Sequence, residues 1–194
     1  MKNVALLFLI AVAFTNCKNV ESEQVINSNV KAEVNLTKVE MPPTTENLLD
    51  GLTTEQREKL DKSFSPKVKE ILDKAEEIEV YASIDKDSKQ LKVLYEKNSP
   101  NTVAKLSDAS LKKQFLESFY YDAALGSGGF ACWKPEQRIL AKYNNQSVEF
   151  DICYHCSNFK GDNTVGKMGG SLNFNSKSLP IIKEILEKYG KEIQ

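Results

Sequence analysis

Two alternating segments on either side of a short polar run constrain the fold more than any other feature of this chain. Apolar side chains occupy every second position of both segments: Ile139, Ala141 and Tyr143 before the run, and Val148, Phe150 and Ile152 after it. Alternation with a period of two is typical of strands with one buried face, and the asparagines of the run are typical of turns. The sequence therefore predicts a central antiparallel hairpin over about residues 138–154.

A loop of two or four residues in the polar run Asn144–Ser147 also predicts the register of this hairpin, with Tyr143 opposite Val148. Two further pairs follow along the strands: Ala141 with Phe150, and Ile139 with Ile152. In this register all six apolar side chains share one face of the hairpin. A shift of the pairing by one residue would move the apolar side chains of one strand to the other face. We therefore expect one side of the hairpin to be buried.

Helix signals occur on both sides of the hairpin. Thr53 followed by Gln56 has the pattern of a capping box, and Pro66 suits the first turn of a second helix. A broad apolar stripe with a spacing of four residues follows Asp108. The predicted helices are, in chain order, Thr53 to about Ser63, Ser65 to about Lys74, Ser107 or Asp108 to about Gly126, and about Ser178 to Gly190.

Other segments carry strand and turn signals. Residues 77–84 alternate as a half-buried strand does, and residues 91–95 predict a weaker strand. A cluster of glycines at Gly166–Gly170 predicts a turn, followed by a short strand near Leu172 and Phe174. Helices beside an antiparallel sheet predict an α+β fold of two layers, in which a small sheet packs against helices. We assign one such domain to residues 51–194.

The first 14 residues have the character of an export signal. Lys2 gives a short positive segment, and Val4–Phe14 is an unbroken apolar run of 11 residues. A helix needs about 20 apolar residues to cross a bilayer, so this run is too short to span one and has the length of a signal-peptide core. The alternative is a buried helix at the start of the chain.

Two cleavage sites follow from this run. Ala11–Ala13 fits the small-x-small rule of ordinary secretory cleavage, which would give a secreted soluble protein. Phe14–Cys17 resembles the lipobox of bacterial lipoproteins, with Asn16 where that pattern prefers Gly or Ala. The resemblance implies that residues 1–16 are a signal peptide and that Cys17 becomes the lipidated first residue. It also implies a cell-envelope protein whose partner is a membrane, reached through a lipid anchor at Cys17.

Residues 17–50 are predicted to hold the lipidated cysteine and a flexible tether. Polar residues are scattered there without a regular period, and Pro42–Pro43 favours an extended backbone. A flexible segment of about 30 residues has a reach on the order of 30 Å. The alternative is an edge strand around Val34, Leu36 and Val39.

The numbers of charged residues and histidines argue against some kinds of partner and cofactor. The chain has 26 Lys plus Arg against 27 Asp plus Glu, which disfavours a generically basic nucleic-acid binder. Only Arg57 and Arg138 could make the bidentate contacts that phosphates and carboxylates favour, and one His excludes a multi-histidine metal site. We expect no nucleic-acid partner and no cofactor.

The four cysteines are the only residues that the sequence singles out as candidates for a chemical function. If Cys17 is lipidated, three remain, which predicts one disulfide and one leftover thiol; if it is retained, two disulfides are available. On an extended strand Cys153 would share the outer polar face with His155, and Cys156 would point the other way. A bond between Cys153 and Cys156 then needs a turn, and a bond from Cys132 to either of them is the alternative.

Two other uses of the cysteines stay open. Cys153 and Cys156 form a C-x-x-C that could exchange disulfides, although no helix follows it as in thioredoxin-like sites. Cys132, Cys153, Cys156 and His155 supply four ligands by count for a structural zinc. A nucleophilic pair of Cys153 and His155 would lack a third, orienting group, so we assign no catalytic residue.

Residues 130–160 resemble a group of uncharacterised bacterial proteins. The shared pattern is Cys-aromatic-x-Pro at Cys132–Pro135, then a hairpin that ends in Ile-Cys-aromatic-x-Cys at Ile152–Cys156. Many of those proteins carry a His shortly after the Pro, where this chain has Glu136–Arg138. The resemblance implies a fold and no activity.

These features predict a membrane-anchored cell-envelope lipoprotein. Its disulfide-stabilised domain is expected to be a binding or structural module and not an enzyme. The alternatives are a thiol-active envelope protein that uses Cys153 and Cys156, and a cysteine-rich structural zinc site.

Overall fold

The computed structural model of the chain describes residues 47–84, 91–92, 94, 102–129 and 133–192. All of the described residues belong to one compact unit, Lys38–Gln194. The whole of Met1–Thr37 lies outside the described part of the chain. The predicted signal peptide, Cys17, Cys132 and most of the predicted tether also lie outside it, as does part of the strand predicted at residues 91–95.

Four helices confirm the helix predictions. They are α1 Thr54–Ser63, α2 Pro66–Lys74, α3 Ala109–Leu125 and α4 Ser178–Tyr189. The Thr53 hydroxyl accepts a hydrogen bond from the Gln56 amide (3.3 Å), and the Gln56 side chain accepts one from the Thr53 amide (2.8 Å). The predicted capping box is therefore present, and it satisfies two backbone donors that α1 cannot pair internally.

Eight strands pair antiparallel. They are β1 Ile78–Ile84, β2 Leu91–Lys92, β3 Thr102–Leu106, β4 Gln137–Tyr143, β5 Gln146–Cys153, β6 Asn158–Asn163, β7 Gly166–Ser171 and β8 Gly190–Glu192. Seven of them form a sheet in the order β7-β6-β5-β4-β1-β3-β8, and β2 pairs with β1. The mixed α+β class is confirmed.

The central hairpin is β4–β5, and its register differs from the predicted one by two residues. Tyr143 lies opposite Gln146 rather than Val148, because the turn contains only Asn144 and Asn145. Their φ angles of 48° and 59° suit the two-residue turn whose twist matches the strands, and Asn tolerates such angles better than other residues with a Cβ. A shift of two residues leaves the buried face unchanged, because side chains alternate with a period of two.

The segment at 158–171 corrects the prediction of a glycine turn followed by a strand. Glycines and polar residues of low strand propensity form β6 and β7, whereas Leu172 and Phe174 lie beyond the strand. Gly170 lies where a side chain would meet the Ser63 hydroxyl and the Phe159 ring. The bare backbone therefore permits α1 to approach the sheet closely.

The core joins helices and sheet through a cluster of aromatic rings. Phe119 of α3 has ring centroids at 5.1 Å from both Phe150 of β5 and Phe159 of β6. Phe64 and Phe115 lie 5.9 Å from the same ring. These rings are buried together with aliphatic side chains of the helices and strands. The cluster thereby holds α3 against β5 and β6.

Candidate functional site

Four loop segments meet at one end of the sheet, which we call the disulfide end. β4 begins there, β5 ends there, β6 begins there and β7 ends there, because neighbouring strands run antiparallel. Gly129 lies directly against the Asn158 side chain, which brings in the segment after α3. The disulfide end consists of residues 126–129, 133–136, 154–157 and 172–177.

A disulfide joins Cys153 and Cys156 across the turn between β5 and β6. The strand ends at Cys153 and the chain turns at Tyr154–Ser157, which brings the two Cα atoms to 5.2 Å. The Cys156 amide also donates a hydrogen bond to the Cys153 sulfur (3.0 Å). The predicted requirement for a turn is met, and the bond does not use Cys132.

The placement of Cys153 on an outer polar face with His155 is wrong. Cys153 and Cys156 are both 0% exposed, whereas His155 is exposed. The alternation assumed for Tyr154–Cys156 fails because these residues form a turn and not a strand. Disulfide exchange needs access to a sulfur atom, so this burial suits a structural bond better than an exchanging one.

Glu136 ties the segment before β4 to the disulfide turn. Its carboxylate accepts a hydrogen bond from the Tyr154 amide (2.9 Å), and its own amide donates to the Ile152 carbonyl (2.9 Å). Partial burial raises the pKa of Glu136, and hydrogen bonds from the backbone at Tyr154 and His155 oppose that rise. The carboxylate is therefore held in place although its partial burial disfavours the ionised form.

Glu136→Gln is expected to gain thermal stability relative to the parent as pH rises. A carboxyl whose pKa is raised on folding favours the folded state when it is protonated, and this contribution is lost as pH rises through the folded-state pKa. Gln cannot ionise, so the difference in Tm, variant minus parent, should increase between about pH 4 and pH 7. Thermal melts across this range measure it. Glu187→Gln, at an exposed position of α4, controls for the loss of one negative charge, and a flat difference for Glu136→Gln would contradict the prediction.

Asp122 is a buried carboxylate that holds the start of α4. Its oxygens accept hydrogen bonds from the amides of Lys177 (2.8 Å) and Ser178 (2.9 Å) and from the hydroxyls of Ser176 and Ser178 (both 2.6 Å). A negative group at a helix N-terminus is favoured by the unpaired amides there. The Tyr154 hydroxyl lies 2.8 Å from the Ser178 hydroxyl, so this cap is linked to the disulfide turn.

The sequence carried a signal for Asp122 that the helix prediction did not use. Asp122 follows Phe115 by seven residues and Phe119 by three, which places it on the apolar face of α3. A carboxylate on such a face is rarely buried without hydrogen-bond donors around it. Its partners come from a segment more than fifty residues away, and sequence spacing does not name them.

Two exposed aromatic side chains distinguish the surface of the disulfide end. Trp133 is 43% exposed and Phe174 is 57% exposed, and they are the large apolar side chains exposed within the described residues. Lys134, His155 and Lys177 are exposed in the loops of the same end. Such a surface suits contact with a partner that has both apolar and negatively charged groups.

The outward face of the sheet carries a second, charged feature. A cleft of about 380 Å³ lies over β5 and β6. Arg138 in its wall contacts the Glu149 carboxylate (2.9 Å) and the Asp151 carboxylate (2.8 Å). Arg57, the other arginine, donates to the carbonyls of Leu49 and Asp50. Both guanidinium groups are thus engaged with protein oxygens.

The described part of the chain holds neither a cluster of metal ligands nor a membrane-spanning helix. Among those residues no group of three or more His, Cys, Asp or Glu side chains is arranged to hold a metal ion. The zinc alternative needs Cys132, which lies outside them, and thiolates at Cys153 and Cys156, which are bonded to each other here. No described helix is long and apolar enough to cross a bilayer.

Comparison with known proteins gives no match. No family model fits the chain, and neither a curated protein nor a solved structure is significantly similar to it.

Proposed function

We propose that this chain is a membrane-anchored lipoprotein of the cell envelope, whose disulfide-stabilised domain is a binding module rather than an enzyme. The observation that carries the proposal is the fully buried disulfide between Cys153 and Cys156. Structural disulfides persist in oxidising compartments and are rare in the cytosol. The apolar run Val4–Phe14 independently predicts that this domain is exported.

The lipid anchor at Cys17 rests on the lipobox-like segment Phe14–Cys17. One acyl chain holds a protein weakly, because each buried CH₂ contributes only about 0.8 kcal/mol. A bacterial lipoprotein cysteine carries a diacylglycerol and usually a further acyl chain, which makes the attachment lasting. The alternative is cleavage behind Ala13, which would leave a secreted soluble domain.

A two-layer arrangement is part of the proposal, with the helices as one layer and the sheet as the other. α2 contacts β4 and β5, α4 contacts β3, and α1 contacts β7, which supports it. The side chains that alternate with the buried ones on β4 and β5 include Arg138 and Glu149, and they pair across the strands. Such an arrangement would leave the loops of the disulfide end available to a partner.

A binding role is favoured because two carboxylates and the cysteine pair are used in holding the loops of the disulfide end. Asp122 caps α4, Glu136 holds the turn, and Cys153 is bonded to Cys156. The sequence-based alternatives differ from the proposal in what they require of these two cysteines: a structural zinc site requires both as thiolates, and a thiol-active protein requires a bond that is reduced and re-formed. A structural bond stays oxidised.

Cys17→Ser is expected to abolish incorporation of labelled fatty acid into the protein, because lipidation requires the thiol. Cys132→Ser is the matched control, since it removes one cysteine with the same substitution and should leave the label unchanged. Labelling in the native host followed by purification measures both. Equal labelling of the Cys17→Ser variant and its parent would contradict the lipid anchor.

Intact mass, measured without reduction and after alkylation in denaturant, tests the same proposal chemically. The expected species begins at Cys17, carries the mass of a lipid and gains one alkyl group, on Cys132. Three alkyl groups would favour the dithiol or zinc alternatives. A chain beginning at Phe14 with no lipid would identify a secreted protein instead.

A further inference from the structure

We propose that the disulfide end is a membrane-contact surface, on which Trp133 and Phe174 enter the headgroup region of a bilayer while Lys134 and Lys177 face anionic lipids. The inference rests on the proposed function, because the lipid anchor supplies the membrane. It adds that the domain itself lies against that membrane, in a defined orientation.

The apolar part of the argument is the position of the exposed aromatic side chains. Trp133 and Phe174 come from segments about forty residues apart, yet both flank the disulfide turn at one end of the sheet. Trp favours the membrane interface because its ring is apolar and its indole N–H is polar. Large exposed aromatic side chains on loops of one end of a domain are typical of interaction sites.

The charged part of the argument is the sign of the exposed side chains beside these rings. Lys134 follows Trp133 directly, and Lys177 lies three residues after Phe174. Both lysines are exposed, whereas the carboxylates of Glu136 and Asp122 accept hydrogen bonds from the backbone. The described loops of the disulfide end thus carry exposed positive side chains close in sequence to their exposed rings, which complements a bilayer that contains anionic lipids.

The loops that carry the aromatic residues are held by hydrogen bonds, so little freedom is lost on contact. The Leu172 amide donates to the Ser157 carbonyl (2.7 Å), and the Asn173 amide donates to the Asp122 carbonyl (2.9 Å). On the other side, Glu136 ties the Trp133 segment to the disulfide turn. A preformed surface binds better than a mobile one, because fewer side chains and loops must be ordered.

The predicted tether would make even a weak contact effective. About 30 residues separate Cys17 from Asn47, where the described domain begins, and a flexible segment of that length reaches roughly 30 Å. An anchored domain therefore meets its own membrane at an effective concentration on the order of millimolar.

Trp133 is the only tryptophan of the chain, so its fluorescence reports on this surface alone. The test places the purified lipidated protein in vesicles of phosphatidylcholine and phosphatidylglycerol, with and without bromine on the acyl chains. We expect brominated lipid to quench most of the Trp133 emission, and the emission to shift to the blue relative to protein in detergent. Acrylamide in the water phase should quench Trp133 less in vesicles than in detergent.

The controls separate charge from general attachment. Lys134→Gln with Lys177→Gln should lose most of the quenching by brominated lipid, and Phe174→Ala should reduce it. Lys142→Gln with Lys167→Gln removes two exposed lysines from the opposite end of the sheet and should leave quenching unchanged. Vesicles of phosphatidylcholine alone should give weaker quenching than vesicles with the anionic lipid.

The outcomes distinguish this inference from the proposed function. An anchored protein whose Trp133 is untouched by brominated lipid and open to acrylamide would overturn the membrane-contact surface and leave the lipoprotein intact; that surface would then serve a protein partner. Equal quenching in the Lys134→Gln, Lys177→Gln variant would also overturn it. A protein that carries no lipid, yet shows Trp133 quenching when the same vesicles are added, would refute the anchor and support the surface.

Discussion

Phe119→Ala is expected to lower the free energy of unfolding by about 3–5 kcal/mol, the range for phenylalanines truncated in protein cores. The Phe119 ring is fully buried and contacts four others: Phe64, Phe115, Phe150 and Phe159. Truncation removes the apolar contacts of α3 with two strands and leaves a cavity, which the surrounding rings fill only in part.

Phe174→Ala makes the same chemical change at a side chain that is 57% exposed. We expect it to lower the free energy of unfolding by much less, because more than half of this side chain is already exposed to solvent. Urea unfolding followed by circular dichroism compares the two variants directly. A loss below about 1 kcal/mol for Phe119→Ala would contradict the central place given to its ring, since core truncations of this size cost more.

Asp122→Ala is expected to lower the free energy of unfolding by roughly 2–4 kcal/mol, because it leaves buried donors without an acceptor. The amides of Lys177 and Ser178 lose their partner, and so do two serine hydroxyls. Asp122→Asn keeps one oxygen acceptor and should lose less. Removal of the carboxylate should therefore loosen the first turn of α4 in particular.

Urea unfolding and amide hydrogen exchange measure this effect at two levels. The amides of Lys177 and Ser178 should exchange faster in Asp122→Ala than in the parent, beyond the change expected from global stability alone. Asp162→Ala, at an exposed position of β6, is the matched control and should change stability by less than about 0.5 kcal/mol. Unchanged exchange at both amides would show that α4 does not depend on Asp122.

The hairpin shows which part of this fold the sequence contained. Five of the six side chains predicted on its buried face are buried and Tyr143 is partly buried, since alternation determines which side chains share a face. Its register was wrong by two residues, because either a two-residue or a four-residue loop satisfies that alternation, and Asn144 and Asn145 form the shorter one. β6 and β7 were missed because their glycines and polar residues have low strand propensity, and pairing with neighbouring strands outweighs it.

The sequence predicted the cysteine motif of the candidate site but not the three-dimensional arrangement around it. The C-x-x-C spacing identified Cys153 and Cys156, yet their burial depends on where β5 ends. The disulfide end depends on strand order, which brings Trp133, His155 and Phe174 to one end of the sheet. Strand order is set by packing over the whole domain, and a local sequence pattern does not contain it.

The two edges of the sheet, as far as the chain is described, are partly covered on one side and short on the other. At one edge, Phe64 pairs with Met168 of β7 and the Ser65 amide donates to the Lys167 carbonyl (3.0 Å). At the other edge, β8 has only three residues. Exposed strand edges promote aggregation between copies, and covered or short edges suppress it. Crowding on a two-dimensional surface would bring many copies of this domain together, and edges of this kind would disfavour their joining into continuous β-structure.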